Sequence, residues 1–107
     1  MPTNRTQGDL QTRTRLSKPK MYNVIMHNDD VTTMEFVVHV LREVFFKSTE
    51  QATQLMLDVH HKDSAIVGTY TYDIAISKAT KAAQMAKEEG FPLRLTVVPA
   101  APEDLPF

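Results

Sequence analysis

Apolar and polar positions divide residues 21–98 into alternating strand-like and helix-like segments. The first, Tyr22–Met26, is a short apolar run with β-branched residues, bounded by Lys-Pro-Lys and Asn-Asp-Asp, which predicts a buried strand. Apolar residues then recur at spacings of three and four in two stretches, which predict two amphipathic helices. The two stripes are Val37, Val40, Leu41, Val44 and Phe45, and Ala52, Leu55, Met56 and Val59.

Both predicted helices begin at a capping signal. Thr32-Thr33-Met34-Glu35 is typical of a capping box in which Thr32 accepts from the Glu35 amide and Glu35 reaches back. Ser48-Thr49-Glu50-Gln51 has the same form a few residues after the first stripe. The short connection between the two stripes predicts a helical hairpin.

The second half of the core predicts a strand, a helix and a strand. Ala65–Tyr70 has strand character, with Gly68 marking a bulge or a close approach. Asp73 suits the first turn of a third helix, and Gly90 suits the C′ position that ends it. Small residues along this helix permit close packing on a sheet, namely Ala75, Ala79, Ala82, Ala83 and Ala86. Leu93–Val98 alternates as a last strand.

The resulting order is β-α-α-β-α-β, an α+β fold. Two helices between the first and second strands reverse the chain direction, whereas one helix between the second and third preserves it. If the first strand is central, both neighbours pair with it antiparallel. We therefore predict a three-stranded antiparallel sheet with three helices packed on one face.

The chain is 107 residues long, which is enough for one domain with one core. Residues 1–20 carry a net charge of +4 and show no periodic apolar face, so we expect a disordered arm. Residues 21–98 form the predicted core, and residues 99–107 a proline-containing tail. The arm has no aromatic residue to stack on bases, which favours a solvated linker or a partner-binding arm over a nucleic-acid contact.

Composition excludes several classes of function. No apolar run reaches the 18–20 or so residues that span a bilayer, so no membrane contact is expected. The chain has no cysteine, and its first residues include no apolar signal segment, which indicates a cytoplasmic protein. With three glycines it has no glycine-rich phosphate loop, and no cofactor is expected.

The candidate chemistry lies in two places. Asn28, Asp29 and Asp30 follow the first predicted strand, and His60 lies near the end of the second predicted helix. Taken alone, the first group reads as a turn with a helix cap, and His60 as a surface histidine. A metal site is a further alternative, with His61 as an added ligand, although no recognised ligand spacing is present.

Two separated motifs resemble a known family. Residues 21–37 contain Asn-Asp-Asp-x-Thr-x-Met-Glu-Phe-Val, and residues 54–60 read Gln-Leu-Met-x-x-Val-His, followed by Gly68 and Lys78. Both are similar to the hallmark segments of ClpS, the adaptor of the bacterial Clp protease. The resemblance covers roughly residues 21–98 and implies a non-enzymatic adaptor that delivers proteins to a Clp-family AAA+ unfoldase of the ClpA or ClpC type. We expect the protein to be a monomer.

The resemblance also implies which residues act. Asn28, Asp29 and His60 match the residues that contact the free α-amino group of an N-degron substrate, whose first residue is Leu, Phe, Tyr or Trp. Asp73 and Lys78 match positions on the face that docks on the unfoldase. The residues matching those around the first side chain are Asp30, Thr32, Met34, Val37, Met56, Val59 and Leu93.

Several positions depart from the family pattern. Val31 stands where an aromatic residue is common, and Thr33 where proline is usual, which affects the pocket rim. Asp73 replaces a usual glutamate, and Ile76-Ser77 replaces a usual Glu-Thr. A plain interaction domain, similar in layout to the C-terminal domain of the ribosomal stalk protein, stays open as an alternative without the pocket.

Overall fold

The computed structural model describes residues 19–101. Its elements are β1 (Met21–His27), α1 (Met34–Glu43), α2 (Thr49–Lys62), β2 (Ser64–Thr71), α3 (Tyr72–Glu88) and β3 (Arg94–Pro99). The predicted α+β order is therefore confirmed. Most of the predicted arm and tail, residues 1–18 and 102–107, lies outside the described residues. In the part of the chain that is described, every helix is too short or too polar to cross a membrane.

The sheet has the order β2-β1-β3, with β1 in the centre and both pairings antiparallel. The register between β1 and β2 shifts at one point, where Val24 pairs with Gly68 and Ile25 pairs with Ile66. Val67 is therefore the extra residue of a bulge, beside the glycine that the sequence marked. A Cβ atom at Gly68 would collide with the Tyr70 ring, which explains the glycine.

The first helix begins one residue later than the sequence predicted. Thr33, not Thr32, is the N-cap, and its Oγ1 accepts from the Phe36 amide at 3.2 Å. The capping prediction for Thr32 was wrong because its amide and hydroxyl both donate to Asp29. The second capping box is confirmed, with Ser48 and Gln51 exchanging both hydrogen bonds.

The core lies between the sheet and the helices. The predicted stripe of α1 and the residues after it is buried, from Val37 to Phe45. Strand residues Val24, Met26 and Val67 meet it from β1 and β2. In α3 the buried alanines are Ala75, Ala79, Ala82 and Ala86, whereas Ala83 is exposed. The prediction for Ala83 was wrong because a helix buries one face, and Ala83 lies beside that face.

The end of α3 is a Schellman motif. Gly90 has a φ of 75°, a left-handed conformation that favours glycine, as the sequence predicted. Its amide donates to the Lys87 carbonyl at 3.0 Å, and the Phe91 amide donates to the Ala86 carbonyl at 2.9 Å. The Phe91 ring then packs edge-on against Phe36 of α1, with centroids 5.1 Å apart. The helix end is thereby fixed against the rest of the fold.

The end of α2 is joined to the end of β1. The C-cap residue Asp63 is left-handed, with a φ of 69°, and its carbonyl accepts from the Asn28 amide at 2.8 Å. In the sheet, His27 is paired with Ser64, the residue that follows Asp63. The loop after β1 therefore starts next to the last turn of α2, where His60 lies.

Candidate binding pocket

An open cavity of about 410 Å³ lies between the loop after β1, the start of α1 and the last two turns of α2. Two segments that are distant in sequence meet there, residues 28–34 and residues 56–60. The lining residues are Asn28, Asp29, Asp30, Val31, Thr32, Thr33, Met34, Met56 and His60. The two motifs that carried the sequence resemblance therefore form one site.

The Asp29 side chain organises the loop that forms one wall of the cavity. Its Oδ1 accepts from the Val31 amide at 2.8 Å and from the Thr32 amide at 2.6 Å. Its Oδ2 accepts from the Thr32 hydroxyl at 2.7 Å. Asp29 thus does turn the chain, as the simpler interpretation of this segment held, while it also faces the cavity.

These contacts stabilise the ionised form of Asp29. Partial burial acts to raise the pKa of its carboxyl, but the hydrogen bonds from Thr32 and Val31 outweigh that effect and lower the pKa. Hydrogen bonds to an ionised carboxylate favour the charged form. Asp29 is therefore a carboxylate at neutral pH, and it gives the cavity a fixed negative charge.

Asn28 and His60 face the same cavity from two different elements. The Asn28 side chain is exposed, and its backbone is held by the bond to Asp63. His60 lies three residues before Asp63 on α2, and it is exposed at the mouth of the cavity. The cavity therefore presents an amide carbonyl, a carboxylate and an imidazole, each able to accept a hydrogen bond.

The apolar part of the cavity is formed by two methionines. Met34 opens α1 and is 46% exposed, and Met56 on α2 is half-buried. Thioether side chains are flexible and adapt to different apolar shapes. Acceptor groups beside an adaptable apolar wall suit a small cation that carries a large apolar group.

Three residues that the resemblance placed around this pocket do not line it. Val37, Val59 and Leu93 are 7%, 3% and 6% exposed and belong to the core. The other predicted members, Asp30, Thr32, Met34 and Met56, do line the cavity.

Two residues that line the cavity, Val31 and Thr33, were not among the predicted site residues. The sequence marked them as departures from the family pattern. Asp63 was missed altogether, although it holds the Asn28 backbone. The sequence could have indicated a helix end at Asp63, because Asp is among the few residues that adopt the left-handed conformation there.

The metal alternative lacks a matching geometry. Within residues 19–101, no three or more His, Asp or Glu side chains are grouped so that they could hold a metal ion. His61 follows His60 on α2, and the centroids of the two rings are 5.3 Å apart.

Lys78 and Asp73, the predicted docking residues, differ in their surroundings. Lys78 is half-buried on α3, and its Nζ donates to the Val44 carbonyl at 2.7 Å, just past the end of α1. The same Nζ lies 4.4 Å from the centroid of the Phe46 ring. Partial burial lowers the pKa of Lys78, with a smaller contribution from Lys81. Asp73 is exposed in the first turn of α3.

Comparison with known proteins identifies the family. Residues 17–96 match the family model for the ATP-dependent Clp protease adaptor protein ClpS. The chain belongs to the ClpS family. Its matched region includes every residue of the cavity and all three helices.

Individual ClpS proteins are similar in sequence to most of the chain, in line with this family. The chain is 52% identical over 89 residues to ClpS of Acetivibrio thermocellus, covering 83% of this chain and 90% of that protein. It is 51% identical over 85 residues to ClpS of Campylobacter jejuni, covering 79% of this chain and 88% of that protein. The structure of Agrobacterium tumefaciens ClpS2 bound to L-phenylalaninamide superimposes with a TM-score of 0.75 at 42% identity, covering 78% of this chain and 100% of that one. The fold and the adaptor family are therefore shared.

Proposed function

We propose that this ClpS-family chain is a non-enzymatic, monomeric cytoplasmic adaptor that binds the free α-amino group and the first side chain of N-degron substrates. It then delivers them to a Clp-family AAA+ unfoldase for proteolysis. The first residues it accepts are Leu, Phe, Tyr and Trp. The observation that carries this proposal is the cavity in which Asn28, Asp29 and His60 meet Met34 and Met56.

The polar part of the cavity matches the chemistry of an α-amino group. Such a group is cationic below a pKa of about 7.7–8.0 and has three N–H donors. Removing it from water is costly unless acceptors replace the water. Asp29 supplies a negative charge, Asn28 a carbonyl and His60 a ring nitrogen, so each donor has an acceptor of suitable type.

The apolar part matches the first side chain. Burying a large apolar side chain contributes roughly 1.5–3 kcal/mol, and each hydrogen bond to a charged group contributes a similar amount. After the cost of association, about micromolar affinity is expected. The relative ClpS2 is bound to L-phenylalaninamide, which has a free α-amino group and an aromatic side chain, and this supports the same ligand class here.

The deciding experiment is a calorimetric titration with a Leu-initiated peptide and its N-acetylated twin. We expect the free peptide to bind and the acetylated peptide to bind at least tenfold more weakly, because acetylation removes the charge and two or more donors. A peptide that begins with Ser is the matched control for the apolar wall and should also bind weakly. Equal affinity for the free and acetylated peptides would contradict the proposal.

The plain interaction domain is separated from this proposal by Asp29→Ala. An adaptor of the proposed kind loses binding of the free amine with this change. A domain that shares the fold but has no amine pocket loses nothing.

A further inference from the structure

Phe46, in the connection between α1 and α2, has a left-handed backbone with a φ of 54°. Glycine usually takes such a position at a helix end, as Gly90 does after α3. A bulky side chain in this conformation is uncommon and strained. The Lys47 amide donates to the Leu41 carbonyl at 3.1 Å across this end of α1, so the strained residue is part of the helix terminus. The backbone alone would favour glycine or asparagine here.

The Phe46 ring does not offset this strain by packing in the core. It is 78% exposed, the largest exposed fraction among the large apolar side chains on the surface of the described residues. The preceding residue, Phe45, is 4% exposed and supplies the aromatic ring that the core uses. A strained and exposed aromatic residue therefore points to a contact outside this chain.

The Lys78 ammonium group holds the Phe46 ring at the surface. Its Nζ lies 4.4 Å from the centroid of the Phe46 ring and 5.3 Å from that of Tyr70, and it donates to the Val44 carbonyl at 2.7 Å. A cation is attracted to the face of an aromatic ring, so a fixed cation limits the motion of the ring. Less ordering then remains when a partner binds. Ile74, one turn before Lys78 on α3, is 48% exposed and adds apolar surface.

The substrate cavity leaves this surface free. Met34 lines the cavity from the first residue of α1, whereas Phe46 follows the last turn of the same helix. The ten residues of α1 separate the two ends by about 15 Å. An adaptor has to hold its substrate and its protease at the same time, so its docking surface must lie outside the cavity. Phe46 meets that condition.

The charges around Phe46 favour an acidic partner surface. Lys78 lies over the ring, and Lys47 is the next residue in the chain. Lys81 is close enough to Lys78 to contribute to the lowered pKa of its ammonium group, after the larger effect of burial. Glu43, the last residue of α1, is the acidic residue nearest to Phe46 in the chain. Three lysines against one glutamate leave this surface positive.

We propose that Phe46, held by Lys78, is an apolar anchor through which the adaptor docks on its Clp-family AAA+ unfoldase, in an apolar pocket with an acidic rim. This inference rests on the proposed function and deepens it, because it adds a contact that the sequence resemblance did not indicate. Aromatic side chains are enriched at the buried centres of protein interfaces. An anchor of this kind explains why a strained position carries phenylalanine.

The test compares Phe46→Asn, which removes the ring and suits a left-handed backbone, with Phe46→Tyr, which keeps the ring. We expect Phe46→Asn to bind the unfoldase roughly tenfold more weakly, because burial of a large apolar side chain is lost, and Phe46→Tyr to bind nearly as the wild type does. Fluorescence anisotropy of labelled adaptor with purified ClpA-type and ClpC-type unfoldases measures these affinities. Ile66→Thr is the matched control, since Ile66 is 43% exposed on β2, and it should bind as the wild type does.

Two further measurements separate docking from folding and from substrate binding. The Tm of Phe46→Asn should be equal to or above that of the wild type, because the substitution relieves backbone strain. The affinity for a Leu-initiated peptide should be unchanged, because the cavity lies at the other end of α1.

Three outcomes would overturn the inference. The first is wild-type affinity of Phe46→Asn for the unfoldase. The second is a lower Tm in Phe46→Asn, which would show that the chain itself covers the ring. The third is a wild-type dimer in light scattering that Phe46→Asn abolishes without a change in unfoldase binding, which would assign the surface to a second copy. Failure of the proposed delivery function looks different, because the wild type itself would then bind neither unfoldase.

Discussion

The Asn28 amide donates to the Asp63 carbonyl at 2.8 Å, and this bond joins the end of the central strand to the end of α2. Asp63 accepts it from a left-handed conformation, with a φ of 69°. Asn28 and His60 are 32 positions apart in the chain, yet both line one cavity because of this junction. The acceptor set of the pocket therefore depends on a backbone contact outside it.

Substitutions at Asp63 should separate the backbone geometry from the side chain. Glycine enters the left-handed region without steric cost, whereas a β-branched residue is strained there by about 1–2 kcal/mol. We expect Asp63→Gly to be near neutral in the free energy of unfolding, and Asp63→Ile to be less stable than Asp63→Gly by about that amount. Denaturant unfolding measures both. Equal stability of the two variants would show that the left-handed geometry at position 63 is dispensable.

The depressed pKa of Asp29 should make the stability of the protein sensitive to acid. A carboxyl with a lower pKa in the folded state stabilises the fold above its unfolded pKa of about 3.9, and this contribution is lost as the pH falls through the folded value. We expect wild type to exceed Asp29→Asn in the free energy of unfolding at neutral pH, by about 1–2 kcal/mol. The gap should narrow as the pH falls below about 4.

Urea unfolding at several pH values gives this comparison. Asp30→Asn is the matched control, because Asp30 is the neighbouring exposed carboxyl on the same loop. A gap between wild type and Asp29→Asn that is constant from neutral pH to acid would contradict the assignment of the lowered pKa.

His60 should contribute an acceptor to peptide binding. It lines the cavity with Asn28 and Asp29, and an imidazole nitrogen can accept a hydrogen bond. We expect His60→Ala to weaken binding of a Leu-initiated peptide by roughly tenfold, and His60→Gln, whose side-chain carbonyl also accepts, to lose less. Calorimetric titration measures both, and His61→Ala is the control at the adjacent position. Wild-type affinity in His60→Ala would remove His60 from the acceptor set.

Lys78 should contribute to stability as well as to docking. Its ammonium group holds the Val44 carbonyl at 2.7 Å and lies over the Phe46 ring, which is 78% exposed. We expect Lys78→Met to lose about 1–2 kcal/mol in the free energy of unfolding, and Asp73→Asn, an exposed site, to stay within about 0.5 kcal/mol. If both residues dock on the unfoldase, as the sequence resemblance implies, both variants should also bind a Clp AAA+ unfoldase more weakly.

Denaturant unfolding and a binding assay with the unfoldase separate these effects. A stable Lys78→Met that still docks normally would leave Lys78 with neither role. A destabilised Lys78→Met that docks normally, together with a normally docking Asp73→Asn, would make Lys78 a structural residue and remove the docking face.

Local sequence signals predicted the elements of this fold because they act over short distances. The stripe from Val37 to Phe45, the capping box at Ser48 and the helix end at Gly90 depend on residues within a turn or two of each other. Counting chain reversals gave the strand directions, and the antiparallel pairing of both neighbours followed once β1 was placed in the centre. The same reasoning placed the first N-cap at Thr32, one residue early, because two threonines in succession both satisfy the local pattern.

Tertiary structure decided how those residues are used. The sequence by itself determined the fold class and, through the resemblance, indicated Asn28, Asp29 and His60 as candidate amine-binding residues. It did not determine that Thr32 would hold Asp29 or that Asp63 would hold Asn28. Helix periodicity tells which residues share a face, but the packing of α2 against the end of β1 determines which of them border an open space. That packing joins groups that are far apart in the chain, so no local sequence pattern can predict it.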